Sequence, residues 1–279
     1  MNILVTLNSA YLEVLIVMLK SLAFNNKKTK FDVYIMNNSL TVNNIEYLKN
    51  NTFKNINIID LKVEDKELDK APVTKRYPKE MYYRILAASY LPKKVNKILY
   101  LDPDLVVINN IEKLYNTNLD NYYFAEASHI WGMLQTINRI RLRMRNDDIY
   151  INSGVMLMNI KLLRKEQKTN DVYQFIRKNK NSLMLPDQDV ISGLYANKIL
   201  PLDPYVYNMT EKLLKQTYFM PHISKRWIED NSVIIHYCGR NKPWLKNYKG
   251  ILNSFYDYYK ELNTLPSKKI IKRNIYENQ

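Results

Sequence analysis

Along the N-terminal third of the chain, short apolar runs rich in β-branched residues alternate with longer stretches whose apolar positions recur every three or four residues. Residues 2–7 form the first such run and read as a strand. Leu12, Leu15, Ile16, Leu19, Leu22 and Ala23 then recur at helical spacing. Residues 31–36 read as a second strand closed by Asn37 and Asn38, and 42–49 as a helix with Thr41 as its N-cap. Residues 55–61 read as a third strand, 81–90 as a helix stopped by Pro92, and 97–101 as a fourth strand. This β-α-β-α-β-α-β order predicts an α/β fold with a mostly parallel central sheet flanked by helices on both faces. The second half is less regular. It reads as a strand over 150–160, helices over 170–178 and 189–196, a strand over 233–237 and a terminal helix over 248–262.

Open sheets of this kind bind ligands beyond the carboxyl ends of their strands, so the residues just after each strand carry the functional information. Thr6, Asn8 and Tyr11 follow the first strand. Asp102, Pro103 and Asp104 follow the fourth. Two carboxylates one residue apart at a strand end form a hard-oxygen pair suited to Mg2+ or Mn2+. An isolated Asp-x-Asp more often marks a solvated turn, and its place after a buried strand is what gives it weight.

Far along the chain, a second apolar strand ends in His236, followed by Tyr237, Cys238, Gly239, Arg240, Asn241, Lys242, Pro243 and Trp244. An imidazole added to two carboxylates makes a mixed nitrogen and oxygen set that favours Mn2+. Gly239 lets the backbone approach a ligand, and Lys242 offers a point charge to a phosphate. Taken singly, His236 also fits a hydrogen-bonded core histidine and Lys242 a surface lysine. Pro186-Asp187-Gln188-Asp189 opens a helix, with Asp187 or Asp189 able to act as N-cap. Asn152-Ser153-Gly154 is a polar break in a strand, with a bulge as the plainer alternative. Arg84 interrupts an apolar helix, either as a snorkelling surface residue or as a site residue.

Composition bounds the classes. The chain has 279 residues, 46% apolar and 25% charged, which suits a globular domain. No apolar stretch is long enough to span a membrane. The first residues read as a strand rather than a signal peptide. A single cysteine, Cys238, excludes an internal disulfide and suits a reducing compartment, so a cytoplasmic location is expected. The net charge of +15 admits nucleic acid, anionic membrane or anionic small molecules as partners, or simply a solvated lysine-rich surface. Nothing resembling a nucleic-acid-binding motif is visible. Charge concentrates at 139–145, where Arg139, Arg141, Arg143 and Arg145 alternate with apolar residues. It concentrates again in a tail after Pro266 containing Lys268, Lys269, Lys272 and Arg273. The first segment suits an anionic or membrane-linked acceptor. The second suits peripheral contact with an anionic bilayer, or is a frayed terminus.

In this order, the Asp102–Asp104 pair, the Asn152-Ser-Gly break, the Asp187-Gln-Asp helix start and above all His236-Tyr-Cys-Gly-x-x-Lys-Pro-Trp resemble glycosyltransferase family 8. That family includes bacterial lipopolysaccharide galactosyl- and glucosyltransferases and glycogenin. The resemblance implies a GT-A fold over 1–247, with a UDP-binding half at 1–108, a sugar and acceptor half at 109–247, and a C-terminal helix and basic tail at 248–279. It implies that Asp102, Asp104 and His236 hold Mn2+ against a UDP diphosphate contacted by Gly239 and Lys242. Thr6, Asn8 and Tyr11 would lie at the uridine, although many relatives are acidic where this chain has Asn8. Arg84, Asn152, Ser153, Asp187 and Gln188 would surround the transferred sugar, with Gln188, Asp187, Arg84 and Asn152 as the catalytic set. The implied reaction moves glucose or galactose from UDP-glucose or UDP-galactose to a glycan, lipid-linked or protein acceptor. It retains configuration, by same-face attack because the amide of Gln188 is a poor nucleophile, or by a rival covalent route. A catalytically silent polyanion-binding module and a sugar-nucleotide pyrophosphorylase are the alternatives. The pyrophosphorylase lacks its expected Gly-rich loop after the first strand.

Overall fold

The computed structural model describes residues 1–74, 78–128, 133–216 and 223–262. The chain runs β1 (Asn2–Thr6), α1 (Leu12–Asn25), β2 (Phe31–Asn37), α2 (Val42–Asn50), β3 (Ile56–Lys62), α3 (Glu80–Tyr83), α4 (Ala87–Tyr90), β4 (Ile98–Leu101), β5 (Leu105–Val107), α5 (Glu112–Tyr115) and β6 (Phe124–Glu126). It continues with α6 (Met133–Leu142), β7 (Val155–Met158), α7 (Ile160–Glu166), α8 (Thr169–Lys178), α9 (Pro186–Tyr195), β8 (Ile199–Pro201), α10 (Pro204–Tyr207), α11 (Glu211–Gln216), α12 (Lys225–Asn231), β9 (Ile234–His236) and α13 (Asn253–Glu261). The basic tail with Lys268, Lys269, Lys272 and Arg273 lies outside the described residues, as does His129.

A seven-stranded sheet has the order β3-β2-β1-β4-β7-β6-β8, and β5 pairs with β9 in a separate two-stranded sheet. In the large sheet, β1, β2, β3 and β4 are mutually parallel, β8 is parallel to β6, and β7 is antiparallel to both of its neighbours. The mostly parallel arrangement expected from the strand and helix order is therefore present. Strands covered on both faces read as continuous apolar runs, and β4 is buried at every position. Helix α1 is apolar nearly all round because it is a middle layer. Leu15, Leu19 and Leu22 pack into the core with β1 and β2, while Val17 and Phe24 join a second core with β9 and α13.

Local chemistry explains the boundaries. Thr41 caps α2 as expected: its hydroxyl accepts from Asn44 N at 3.2 Å, and Asn44 Oδ1 accepts from Thr41 N at 3.0 Å. Four expected elements differ. The helix expected over 81–90 is two short helices joined by a tight 3-10 turn at Arg84–Leu86, and that tightening coincides with the buried Arg84. The strand expected over 150–160 begins only at Val155. Asn152 Oδ1 accepts from Gly154 N at 3.3 Å, and this local bond competes with the ladder. The terminal helix begins at Asn253 rather than 248.

The fourth difference is α9, which starts at Pro186, a residue preorganised for a first helical turn, with Leu185 rather than Asp187 or Asp189 at the cap position. Asp189 instead reaches back from the fourth helical residue, accepting from Met184 N at 2.6 Å and Leu185 N at 3.0 Å. The same carboxylate takes both guanidinium nitrogens of Arg141 at 2.8 and 2.7 Å and the Tyr150 hydroxyl at 2.6 Å. One fully buried side chain thus ties α6, the 150–154 segment and α9 together. We expect Asp189→Ala to lower unfolding free energy by about 3 kcal/mol, because it strands Arg141 and Tyr150 as well as removing a cap. Urea denaturation measures this, and a loss below about 1 kcal/mol contradicts the tie.

Candidate functional site

Two strand registers assemble the site. In the large sheet Leu101 pairs with Val155, and Asp102 N donates to Gly154 O at 2.9 Å, so the segment after β4 meets the segment before β7. In the small sheet Leu105 pairs with His236, and Tyr237 N donates to Asp104 O at 2.9 Å. Asp102, Asp104 and His236 therefore converge, each offering one ligand atom within 4.8 Å of the others. His236 Nε2 lies 3.2 Å from Asp104 Oδ1 and 3.7 Å from Asp102 Oδ2. A ring nitrogen facing two carboxylates suits a divalent cation between them, and this donor set fits Mn2+ or Mg2+. Gly154 leaves the room: a Cβ there would stand 2.2 Å from His236 Cε1 and 2.9 Å from Asp102 Oδ2.

A cleft of about 630 Å3 opens over this cluster. Every residue assigned to nucleotide, sugar or metal from the sequence lines it: Thr6, Asn8, Tyr11, Arg84, Asp102, Asp104, Asn152, Ser153, Asp187, Gln188, His236, Gly239 and Lys242. Arg84 is not a snorkelling surface residue. It is buried, with one guanidinium nitrogen 2.9 Å from Asp102 Oδ1 and 3.2 Å from Asp187 Oδ2, and its plane lies 4.1 Å from the centre of the Tyr100 ring. Burial works against its charge, but Asp102 and its other neighbours outweigh that, so the net shift is upward. Tyr100 donates to Asp102 Oδ1 at 2.6 Å and shares a bond with Thr6 Oγ1 at 3.0 Å.

Asp187 accepts from the Ser153 hydroxyl at 2.7 Å. Burial raises its pKa in spite of Arg84. Among the buried polar atoms of the residues lining the cleft, Asp187 Oδ1, an acceptor, and Gln188 Nε2, a donor, have no partner among the described residues, and neither do Arg84 Nε and Arg141 Nε. A sugar hydroxyl satisfies both kinds.

Lys242 Nζ contacts Asp104 Oδ2 and donates to Tyr237 O at 2.8 Å. Burial alone would raise the Asp104 pKa, but Lys242 and His236 hold that carboxyl well below the usual range. Gly239 has φ +90, a conformation that favours glycine. Asn8 Oδ1 accepts from Ala10 N at 3.1 Å, and Tyr11 stands edge-on to Trp244 with ring centres 6.4 Å apart. Burial first, then Asp104, pushes the Cys238 thiol up to about 11, so it stays protonated at neutral pH.

The sequence reading missed three residues. Tyr100 orients Asp102 from two positions back on the same side of the strand, a spacing that was legible. Asn208, between α10 and α11, bonds His236 and Asn152, and no motif marks it. Glu126, at the end of β6, is a buried carboxyl with neither oxygen partnered among the described residues. Burial and then Asp187 push its pKa well above the carboxylate range.

The fold has a close structural counterpart in the galactosyltransferase LgtC, solved with donor and acceptor sugar analogs. The two align with a TM-score of 0.83 over 95% of this chain and 98% of that one, at 20% identity. The architecture is thus GT-A, that of a glycosyltransferase. A lipopolysaccharide 1,2-glucosyltransferase from Escherichia coli is 28% identical over 271 residues, covering 91% of this chain and 77% of that protein. General stress protein A from Bacillus subtilis is 24% identical over 84% of this chain and 83% of its own length. The model of glycosyl transferase family 8 matches residues 2–248, and the chain belongs to that family. No described helix is long and apolar enough to cross a membrane.

Gly154→Ala is expected to force the His236 ring aside and to cost about 1–3 kcal/mol in urea unfolding, as overpacked cores do; unchanged stability contradicts the close approach. Glu126→Gln tests the buried carboxyl. A raised native pKa means that native protein keeps a proton which unfolded chain gives up, so wild-type stability falls as pH rises above the ordinary carboxylate range. The variant lacks that loss. Its melting temperature should gain on wild type between about pH 5 and about pH 8, by about 2–4 °C per kcal/mol. Parallel melting curves across that range rule it out.

Proposed function

We propose that this glycosyltransferase moves a hexose, glucose or galactose, from a UDP-sugar to a hydroxyl of a glycan, glycolipid or glycoprotein, with retained configuration. The observation that carries the reading is the convergence of Asp102, Asp104 and His236 in a cleft that Asp187 and Gln188 also line, each with one buried polar atom unpartnered among the described residues. Residues 1–108 supply the nucleotide side and 109–247 the sugar and acceptor side. Asp102, Asp104 and His236 would hold Mn2+, in preference to Mg2+. That ion, when bound, neutralises charge on the departing diphosphate.

The chain's own residues do the rest. Thr6, Asn8 and Tyr11 take the uridine, where the Asn8 oxygen still has a lone pair for uracil N3–H. Lys242 and the Gly239 backbone take the diphosphate, with Lys242 leaving Asp104 for the phosphate oxygens. Arg84, Asn152, Ser153 and Asp187 orient the sugar hydroxyls, and the Asp187 carboxylate stabilises positive charge at the anomeric carbon. Gln188 covers the face opposite the leaving group. Its amide is a poor nucleophile, and Asp187 is already bonded to Ser153 and Arg84. Same-face attack follows, with the acceptor hydroxyl passing its proton to the leaving phosphate oxygen.

On the acceptor side, lipopolysaccharide glucosyltransferases among the relatives favour a glycan or lipid-linked acceptor. Leu134 and Met184, both exposed, lie at the cleft and suit its apolar parts. Peripheral contact of the basic tail with a cytoplasmic membrane face belongs to the same reading, on charge alone.

Incubation with a panel of UDP-sugars and Mn2+ should release UDP from one hexose donor over the rest, and a chelator should abolish it. Asp102→Ala and His236→Ala should each lower turnover about 100-fold or more. Turnover that persists in chelator, or no release from any UDP-hexose, sinks the reading. Mass spectrometry of a trapped adduct on Asp187 or Gln188 would replace same-face attack with the covalent route.

A further inference from the structure

Asn208 is fully buried and placed by backbone on both sides. Its own N donates to Pro204 O at 3.0 Å, Met209 N donates to Ile234 O at 3.0 Å, and His236 N donates to Met209 O at 2.8 Å. Its amide orientation is determined by groups that have only one role. The Ala127 carbonyl only accepts, so the Asn208 atom 3.1 Å from it is Nδ2. Asn152 Oδ1, 2.9 Å from that same nitrogen, is itself identified as oxygen by the Gly154 backbone N–H at 3.3 Å. Both amide hydrogens are thereby used, and Oδ1 is left facing His236 Nδ1 at 2.9 Å. An oxygen at that distance requires a proton on Nδ1, so Nε2, 3.2 Å from Asp104 Oδ1, is the ring nitrogen that would face a cation held between the carboxylates.

We propose that Asn208 is the positioning residue of the cation site, holding His236 with its proton on Nδ1 and tying that ring to Asn152 in the sugar pocket. This rests on the reading that Asp102, Asp104 and His236 hold a divalent cation. A metal-binding imidazole takes its tautomer and ring angle from the partner of its other nitrogen, and loss of such a partner weakens metal binding about 10- to 100-fold. Here the partner is an uncharged amide, and one of its two hydrogens reaches Asn152, whose own Nδ2 donates to Gln188 Oε1 at 3.4 Å. One side chain therefore sets both the ligand and the sugar-facing amide.

The test uses full-length chain labelled with 15N-histidine and loaded with Mg2+, which is diamagnetic. The chain has three histidines, and His236 is assigned by its loss in His236→Asn. Multiple-bond nitrogen–proton spectra should find the proton on Nδ1. A bare Nδ1 overturns the proposal, whatever binds at Nε2. Mn2+ titration followed by electron paramagnetic resonance then compares wild type with Asn208→Ala and Asn208→Asp. The alanine variant should bind about 10- to 100-fold more weakly. The aspartate variant keeps an acceptor opposite Nδ1 but loses both donors, so it should bind Mn2+ within about threefold of wild type while donor turnover falls about tenfold or more. Equal affinity in wild type and the alanine variant overturns the proposal. A wild-type protein with no affinity for Mn2+ removes the cation reading instead, and the Nδ1 result, which needs no cation, tells the two failures apart. Should the alanine variant fail to fold, the wild-type spectrum and the aspartate variant still decide.

Discussion

The site depends on strand register. Leu101 opposite Val155 and Leu105 opposite His236 are two ladder positions in two different sheets, and together they place residues separated by nearly half the chain around one point. A slip of one residue in either ladder turns every side chain of that strand to the other face. The burial of β4, β5, β7 and β9 on all sides makes such a slip expensive, so the hydrophobic core itself holds the carboxylates and the imidazole in place. Gly154 marks how closely the two segments approach, since no larger residue fits between the ring and the Asp102 carboxylate.

The second constraint is charge balance in a dry wall. Burying a lone guanidinium or carboxylate costs on the order of several kcal/mol. The chain offsets this by interleaving them: Arg84 lies between Asp102 and Asp187, Tyr100 donates to Asp102, and Ser153 donates to Asp187. The balance is incomplete: Asp187 Oδ1, Gln188 Nε2 and Arg84 Nε stay buried and unpartnered among the described residues. Unpaired buried groups discriminate strongly between ligands that satisfy them and ligands that do not. Glu126 behind the wall follows a different rule. Burial and then Asp187 outweigh the pull of Arg84, so its neutral form is favoured, and it adds no second negative charge next to Asp187.

Much of this was legible in residue order. Central strands betray themselves as apolar runs, and ligands sit beyond their carboxyl ends, so Asp102, Asp104 and His236 stood out by position as well as by type. What remained hidden depended on contacts between segments far apart in sequence. Nothing local distinguishes the asparagine at 208 from Asn109 or Asn253, because its role comes from where the α10–α11 connection runs. The 3-10 turn at Arg84 was hidden for a related reason. Periodicity reports a helix and cannot register that its middle turn tightens around an inward-facing guanidinium. Asp189 was read as a cap candidate, and it does accept backbone N–H groups, but from inside the helix, because Pro186 takes the first helical position.

The same distinction between local pattern and tertiary partner reinterprets the arginine run at 139–145. As sequence it is a basic stripe suited to anions. In the fold, Arg141 is spent on Asp189, Arg139 Nε donates to Asp148 O at 2.6 Å, and Arg145 pairs with Asp147 at 3.2 Å and Asp148 at 3.4 Å. Three of the four arginines thus brace the segment against its own chain, and α6 instead exposes Leu134, which lines the cleft, together with Ile137 and Ile140. Arg141 points inward beside the buried Leu142, while three other apolar residues of the helix face outward, against the usual surface arrangement. The helix keeps that arrangement only because the Arg141–Asp189 pair, two parallel bonds to a fully buried carboxylate, anchors it to the start of α9, the helix that also carries Asp187 and Gln188. Leu134 on α6 and the Asp187–Gln188 wall of the cleft are therefore positioned by the same carboxylate, which fixes their geometry relative to one another.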